Sequence, residues 1–250
     1  MIEEFPLFVF TTLGGVAAGA YVIAAFFPHS SDKERPWLLP LVALVLLGVS
    51  GIALLLHLGR PERMILAFSN PSAGITQEGY ATVVFGVVVA IDFLVGLIKG
   101  RSLRPVRIVG AIAGFALMLT MGSAYYSYSA QEAWAYWATF PLFIIGDLAI
   151  GAALMALFDS KFYQENVKRT SALILSVLFV LSAVFDVLHY IAIGKDVVGF
   201  IVGGVLGIVS AVLMYVSKKH DNRAVVIAIF VCMLLAVAFA RYTFYAAYGA

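Results

Sequence analysis

Charge is scarce in this sequence. Of 250 residues, 16 are Lys or Arg and 14 are Asp or Glu, 12% in all, against roughly 25% in soluble domains. That scarcity excludes a water-soluble globular enzyme. Cysteine is nearly absent as well: the single Cys232 can make neither an internal disulfide nor an iron–sulfur cluster. No C-x-x-C-H segment offers covalent haem attachment, so a redox metal belongs on a partner or on one of the four histidines. The net charge of +2 is too small to suggest a nucleic-acid partner. The opening residues Met1-Ile2-Glu3-Glu4-Phe5-Pro6 lack the basic region of a signal peptide, and the first apolar run therefore reads as a retained span.

What is abundant is apolar. Hydrophobic residues make up 63% of the chain, and the mean hydropathy is +1.01. A helix crosses the bilayer with about 20 apolar residues. Runs of that length fall at residues 5–27, 37–58, 79–98, 104–125, 139–158, 170–192, 197–216 and 224–246. They predict an all-α integral membrane protein, an eight-helix bundle forming one transmembrane domain over residues 1–250. The seventh span follows the sixth so closely, around Gly194-Lys195-Asp196, that the two must form a helical hairpin. Small-x-x-x-small spacings at Gly15/Gly19, Gly110/Gly114 and Gly199/Gly203/Gly207 predict close helix packing faces. No repeat is convincing enough to mark halves of inverted topology.

Basic residues set the orientation. The odd-numbered loops hold Lys33 and Arg35, four basic residues from Lys99 to Arg107, three from Lys161 to Arg169, and Lys218, Lys219 and Arg223. The rest of the chain keeps only Arg60, Arg63, Lys195 and Arg241. Odd loops are therefore expected in the cytoplasm and both termini outside, in a multi-pass protein of the bacterial or archaeal cytoplasmic membrane.

An ionisable side chain in hydrocarbon costs several kcal/mol unless paired or hydrated, which makes each one a candidate functional residue. Seven stand in or at the edge of the spans: His57, Glu78, Asp92, Asp147, Asp186, His189 and Arg241, with Tyr125, Tyr126, Tyr128 and Tyr190 beside them. In the expected orientation His57 ends the second span and Glu78 stands at the entrance of the third. All but Asp92 fall in the outer half. A transporter would place its groups near the midplane, whereas clustering on one side points to a site opening on one face. A quinol suits it. The apolar tail arrives from lipid, the two hydroxyls need hydrogen-bond partners, and oxidation needs groups that accept two protons, a task for imidazole and carboxylate.

Plainer readings stand beside this one. His57 can be an interfacial residue bonded to a backbone carbonyl. Asp186, one turn before His189, can simply neutralise it. Asp92 is expected to pair with a basic group from the Lys99–Arg107 stretch. The Tyr and Trp residues at 126–138 read as aromatic-belt anchors rather than ligands, and His29 and His220 as solvated loop residues. Two competing functions stay open: a secondary transporter with Asp147, Asp186 and Arg241 as its substrate site, and a cytochrome with one b-type haem between His57 and His189. Two stacked haems are excluded unless Met or another ligand substitutes.

The segment His57-Leu58-Gly59-Arg60-Pro61-Glu62-Arg63, followed by Ser72 and then Glu78, resembles the membrane anchor subunit of the DMSO reductase family. There an H-L-G-x-P-x-R segment ends the second of eight helices and a Glu about twenty residues on opens the third. Thr139-Phe140-Pro141 at the fifth span fits the pattern, and the resemblance covers essentially the whole chain. The polysulfide and nitrite reductase type anchors are a nearby group that this chain resembles less at His57. The resemblance implies a haem-free anchor that oxidises menaquinol near the outer face. Electrons then pass to a ferredoxin-like subunit with 4Fe–4S clusters and on to a catalytic subunit with molybdopterin, both at the outer face. It assigns His57 and Glu78 as the quinol-binding, proton-accepting pair; Arg60, Asp147 and His189 are expected, from the residues themselves, as further quinol contacts. Arg60 and Arg63 would dock the iron–sulfur subunit. Quinol oxidation and reductase on one side predict little charge separation by the chain itself.

Overall fold

The computed structural model describes residues 4–28, 34–57, 69–159, 161–218 and 222–248. These form eight helices long and apolar enough to cross a membrane. They are α1 (Phe5–Phe26), α2 (Leu38–His57), α3 (Gly74–Lys99), α4 (Arg104–Tyr126), α5 (Thr139–Phe158), α6 (Asn166–Ala192), α7 (Val198–Val216) and α8 (Arg223–Ala246). Among the described residues there is no strand. Without water in hydrocarbon, backbone N–H and C=O groups must pair within the segment, which selects helices. Pro6 and Pro105 sit in the first turns of α1 and α4, where proline loses no helical bond. Asn222 caps α8 by accepting from Ala224 N–H at 3.0 Å. The expected α6–α7 hairpin turns on Gly194, whose φ of 70° suits only a residue without Cβ.

Two helix starts differ from the hydropathy boundaries. The third helix begins at Gly74 rather than 79, and the sixth at Asn166 rather than 170. Polar residues at these starts face inward: Thr76 and Glu78 are buried on α3, and Lys168 and Arg169 on α6. Apolar content marks where lipid begins, whereas the helix continues wherever its backbone bonds and a polar face have protein to rest on. Glu78 consequently stands a turn inside α3, not at its mouth.

The helices close into two four-membered rings. In the first, α1 packs on α2, α2 on α3, α3 on α4 and α4 on α1; α5 to α8 repeat this order. The rings join through α1 against α5, flanked by α4 against α5 and α1 against α8. Four helices per ring bring α5 in from the same end as α1, so the halves have parallel rather than inverted topology. A short echo survives in sequence: Phe5-Pro6-Leu7-Phe8 opens α1, and Phe140-Pro141-Leu142-Phe143 stands at the start of α5.

Small residues make the central seam. A methyl group on Gly19 would collide with the backbone carbonyl of Asp147, and one on Gly151 with the backbone of Gly19. The expected small-residue faces are thus contact faces, where backbones approach for dispersion contact that lipid cannot match. Outward side chains such as Val45, Val84, Ile112, Val184 and Ile201 are exposed, as a lipid-facing surface requires.

Candidate functional site

Five helix ends, those of α1, α2, α3, α4 and α8, and the α4–α5 connection meet at one end of the bundle. There a cavity of about 280 Å³ is lined by Glu4, His57 and Glu78, by Tyr125, Tyr128, Trp134 and Tyr248, and by small or aliphatic groups including Leu7, Gly74 and Ala124. Because Glu4 and Tyr248 both border it, the start of α1 and the residues just after α8 lie at the same end of the bundle. Each side chain arrives for a local reason. His57 is the last residue of α2. Glu78 is buried because its α3 face meets α4, with Gly74 lying against Ala124.

His57 Nδ1 lies 3.3 Å from Glu4 Oε2, a close contact without the alignment of a hydrogen bond. Glu78 is 2% exposed, and its carboxyl faces the Tyr125 hydroxyl. Glu78 Oε1 and the Tyr125 hydroxyl are nevertheless buried with no hydrogen-bond partner. An uncompensated buried polar atom costs about 1–3 kcal/mol, and these two lie in one cavity beside the His57–Glu4 contact.

The connection after α4 builds the wall. Trp134 Nε1 donates to Phe244 O at 2.7 Å, and Gln131 Nε2 donates to Ala247 O at 3.0 Å. Trp134 stacks on Phe244 and Tyr248, with centroids 5.5 and 5.2 Å apart, and Tyr125 stacks on Phe143 at 5.3 Å. Trp134, expected as a belt anchor, is instead 4% exposed and part of the core. The reason is that its indole N–H finds a carbonyl at the end of α8. Tyr126, Tyr128 and Trp137 remain exposed, as belt anchors do.

Not every candidate reaches this cavity. Asp147 and Arg241 are fully buried at the seam, with Arg241 Nη2 2.6 Å from Asp147 Oδ1. Arg241 also donates to Thr11 O and Phe143 O and lies over the Phe143 ring. These two groups pair and tie α1, α5 and α8 together, while Asp147 Oδ2 and Arg241 Nε stay buried without a hydrogen-bond partner. His189 stacks on Tyr136 at 4.0 Å, and its Nε2 lies 3.1 Å from Glu132 O. His57 and His189 thus stand in different rings with different partners, so the structure does not bring them together as an axial pair for haem. Asp186, expected to neutralise His189, makes no ion pair among the described residues.

Asp92 behaves as expected. It receives Arg107 Nε at 2.8 Å and the Tyr21 hydroxyl at 3.0 Å, far from the cavity. Arg60 and Arg63 lie outside the described residues. Sequence reasoning missed Glu4, Trp134 and Tyr248. Glu4 carried a signal, an acidic residue directly before the first span on the side where His57 was expected.

A sequence profile of the DMSO reductase anchor subunit (DmsC) family matches residues 1–198. Two curated proteins, each the C subunit of an anaerobic dimethyl sulfoxide reductase by name, are similar. The one from Haemophilus influenzae is 28% identical over 174 residues, covering 65% of this chain and 62% of that protein. The one from Escherichia coli is 27% identical over 168 residues, covering 62% and 58%. The chain thus spans about three-fifths of the length of the curated relatives it matches.

Proposed function

Because the chain belongs to the DMSO reductase anchor subunit (DmsC) family, we propose that it holds a molybdopterin reductase and its 4Fe–4S subunit to the membrane and feeds them electrons from menaquinol. One observation carries this reading: His57, Glu4, Glu78 and Tyr125 converge on a single cavity with orphaned polar atoms. Its volume of about 280 Å³ falls just below the roughly 300–1,000 Å³ typical of ligand pockets, suited to a quinol head group with its tail left in lipid. The scarcity of basic residues at this end supports an outer-face location.

The quinol gives up two electrons and two protons and leaves as quinone. The electrons go to the iron–sulfur subunit. Glu78 accepts one proton and the His57 imidazole the other, a carboxylate and an imidazole that line the cavity and have the lone pairs to take them. Glu4 holds His57 through Nδ1, which keeps Nε2 available for a quinol hydroxyl. Tyr125 donates to the second oxygen. Arg60 and Arg63 would receive the iron–sulfur subunit, and Arg60 is assigned a quinol contact as well. Asp147 and His189 have a weaker claim to quinol contact, because neither lines this cavity. With Asp92 engaged by Arg107 and Tyr21, no inner-face proton uptake is assigned to it, in keeping with little charge separation.

The test uses membranes carrying the intact complex. His57→Ala and Glu78→Gln should each lower quinol-driven turnover by about a hundredfold or more, the usual range for losing a proton acceptor. Turnover driven by a soluble viologen dye, which bypasses the anchor, should persist. Wild-type quinol-driven rates in both variants would overturn the assignment.

A further inference from the structure

A second, larger cavity has no part in the quinol reading. At the other end of the bundle from His57, a cleft of about 600 Å³ opens between the rings, bounded by α1, α4 and α5. Val22 and Phe26 of α1, Ile108 and Phe115 of α4 and Leu148 of α5 give it apolar walls, and Arg104 stands at its mouth.

Arg104 differs from its neighbour Arg107. Arg107 is 3% exposed and pairs with Asp92, so its charge is consumed inside the bundle. Arg104 is exposed, and no carboxylate among the described residues reaches it. From Lys99 to Arg107 the sequence has four basic residues and no Asp or Glu. An apolar cleft of about 600 Å³ is thus bordered by a cation to which the described residues supply no counter-ion. That combination matches a molecule with an acyl chain and a negative head. Basic pockets between helices are known to select phosphate head groups, each basic residue contributing on the order of 1 kcal/mol.

We propose that this cleft is a binding site for an anionic phospholipid, one acyl chain lying between α1, α4 and α5 and the phosphate meeting Arg104. The lipid fills a flank of the ring–ring seam that side chains leave open. A zwitterionic lipid can occupy the same slot, so the proposal concerns selectivity for negative charge.

The experiment places the complex in nanodiscs of zwitterionic phosphatidylcholine containing a small fraction of spin-labelled phosphatidylglycerol, and measures the motionally restricted fraction by electron spin resonance. Wild type is expected to retain the anionic probe over a spin-labelled phosphatidylcholine by about fivefold, the factor matching one such charge contact. Arg104→Gln should remove the preference, Arg104→Lys should keep it, and Ala111→Phe, which fills the cleft from α4, should displace both probes. Arg101→Gln, outside the cleft, should change nothing. Undiminished selectivity in Arg104→Gln overturns the proposal. An equal loss in Arg101→Gln also overturns it, since that marks diffuse surface attraction rather than a site. Quinol turnover is unaffected in either case, so this reading and that of the quinol site fail separately.

Discussion

Replacing Asp147 by Ala tests whether the seam between the rings depends on the buried ion pair. Arg241 would then be a fully buried guanidinium whose remaining partners among the described residues are the carbonyls of Thr11 and Phe143 and the Phe143 ring. Removing one partner of a buried pair costs about 3–5 kcal/mol, because the remaining charge is uncompensated. For a chain of this length that lowers the unfolding midpoint by roughly 6–20 °C. Arg241→Met alone should cost a similar amount by stranding the carboxylate. The double variant Asp147→Ala/Arg241→Met should recover at least half of the loss, since no charge is left in hydrocarbon. The recovery is incomplete because α1 and α5 lose their shared donor. Detergent-purified protein followed by thermal denaturation gives all four corners of this cycle. If the single variants melt like wild type, or if the double loses the sum of the two, the pair does not hold the seam. A substrate site in the Asp147–Arg241 region would then regain standing.

Three further perturbations probe other parts. Gly19→Leu drives a side chain into the Asp147 backbone and should cost the upper end of the roughly 1–3 kcal/mol of overpacking, or more; gel filtration would show it as lost monodisperse protein. Trp134→Ala removes the bond to Phe244 O and two stacked contacts, for about 3–5 kcal/mol, and should speed proteolysis of the α4–α5 connection. Asp92→Asn deprives buried Arg107 of its carboxylate partner. It should lower the melting temperature while leaving quinol-driven turnover per folded complex near wild type; a proportional fall in turnover would instead implicate the other end of the bundle in proton uptake.

Much of the site was legible in the residues, and the reason is the cost of charge in lipid. His57 and Glu78 stood out because imidazole and carboxylate are rare in apolar runs, and the structure brings them to one cavity. Asp92 and Arg107 were readable as partners because they flank one short turn. What stayed hidden depends on contacts between distant segments. Glu4 reaches His57 across 53 positions of chain, and Trp134 meets Phe244 across 110. No local pattern records either meeting. The parallel repeat was missed because the echo is only four residues long, while ring closure is a property of helix neighbours.

Hydropathy by itself determined that this chain is a membrane bundle of eight helices, since only a helix satisfies its own backbone within lipid. Basic-residue counts and one heptapeptide pointed to a face and a family. Only the tertiary structure decided which polar groups neutralise one another and which remain open to a guest. Asp147 and Glu78 are alike in sequence as buried carboxyls on spans. One faces a guanidinium at the seam, and the other faces a cavity and a tyrosine. The difference is one of neighbours across helices, because in hydrocarbon a charge is defined by what lies within a few ångströms of it.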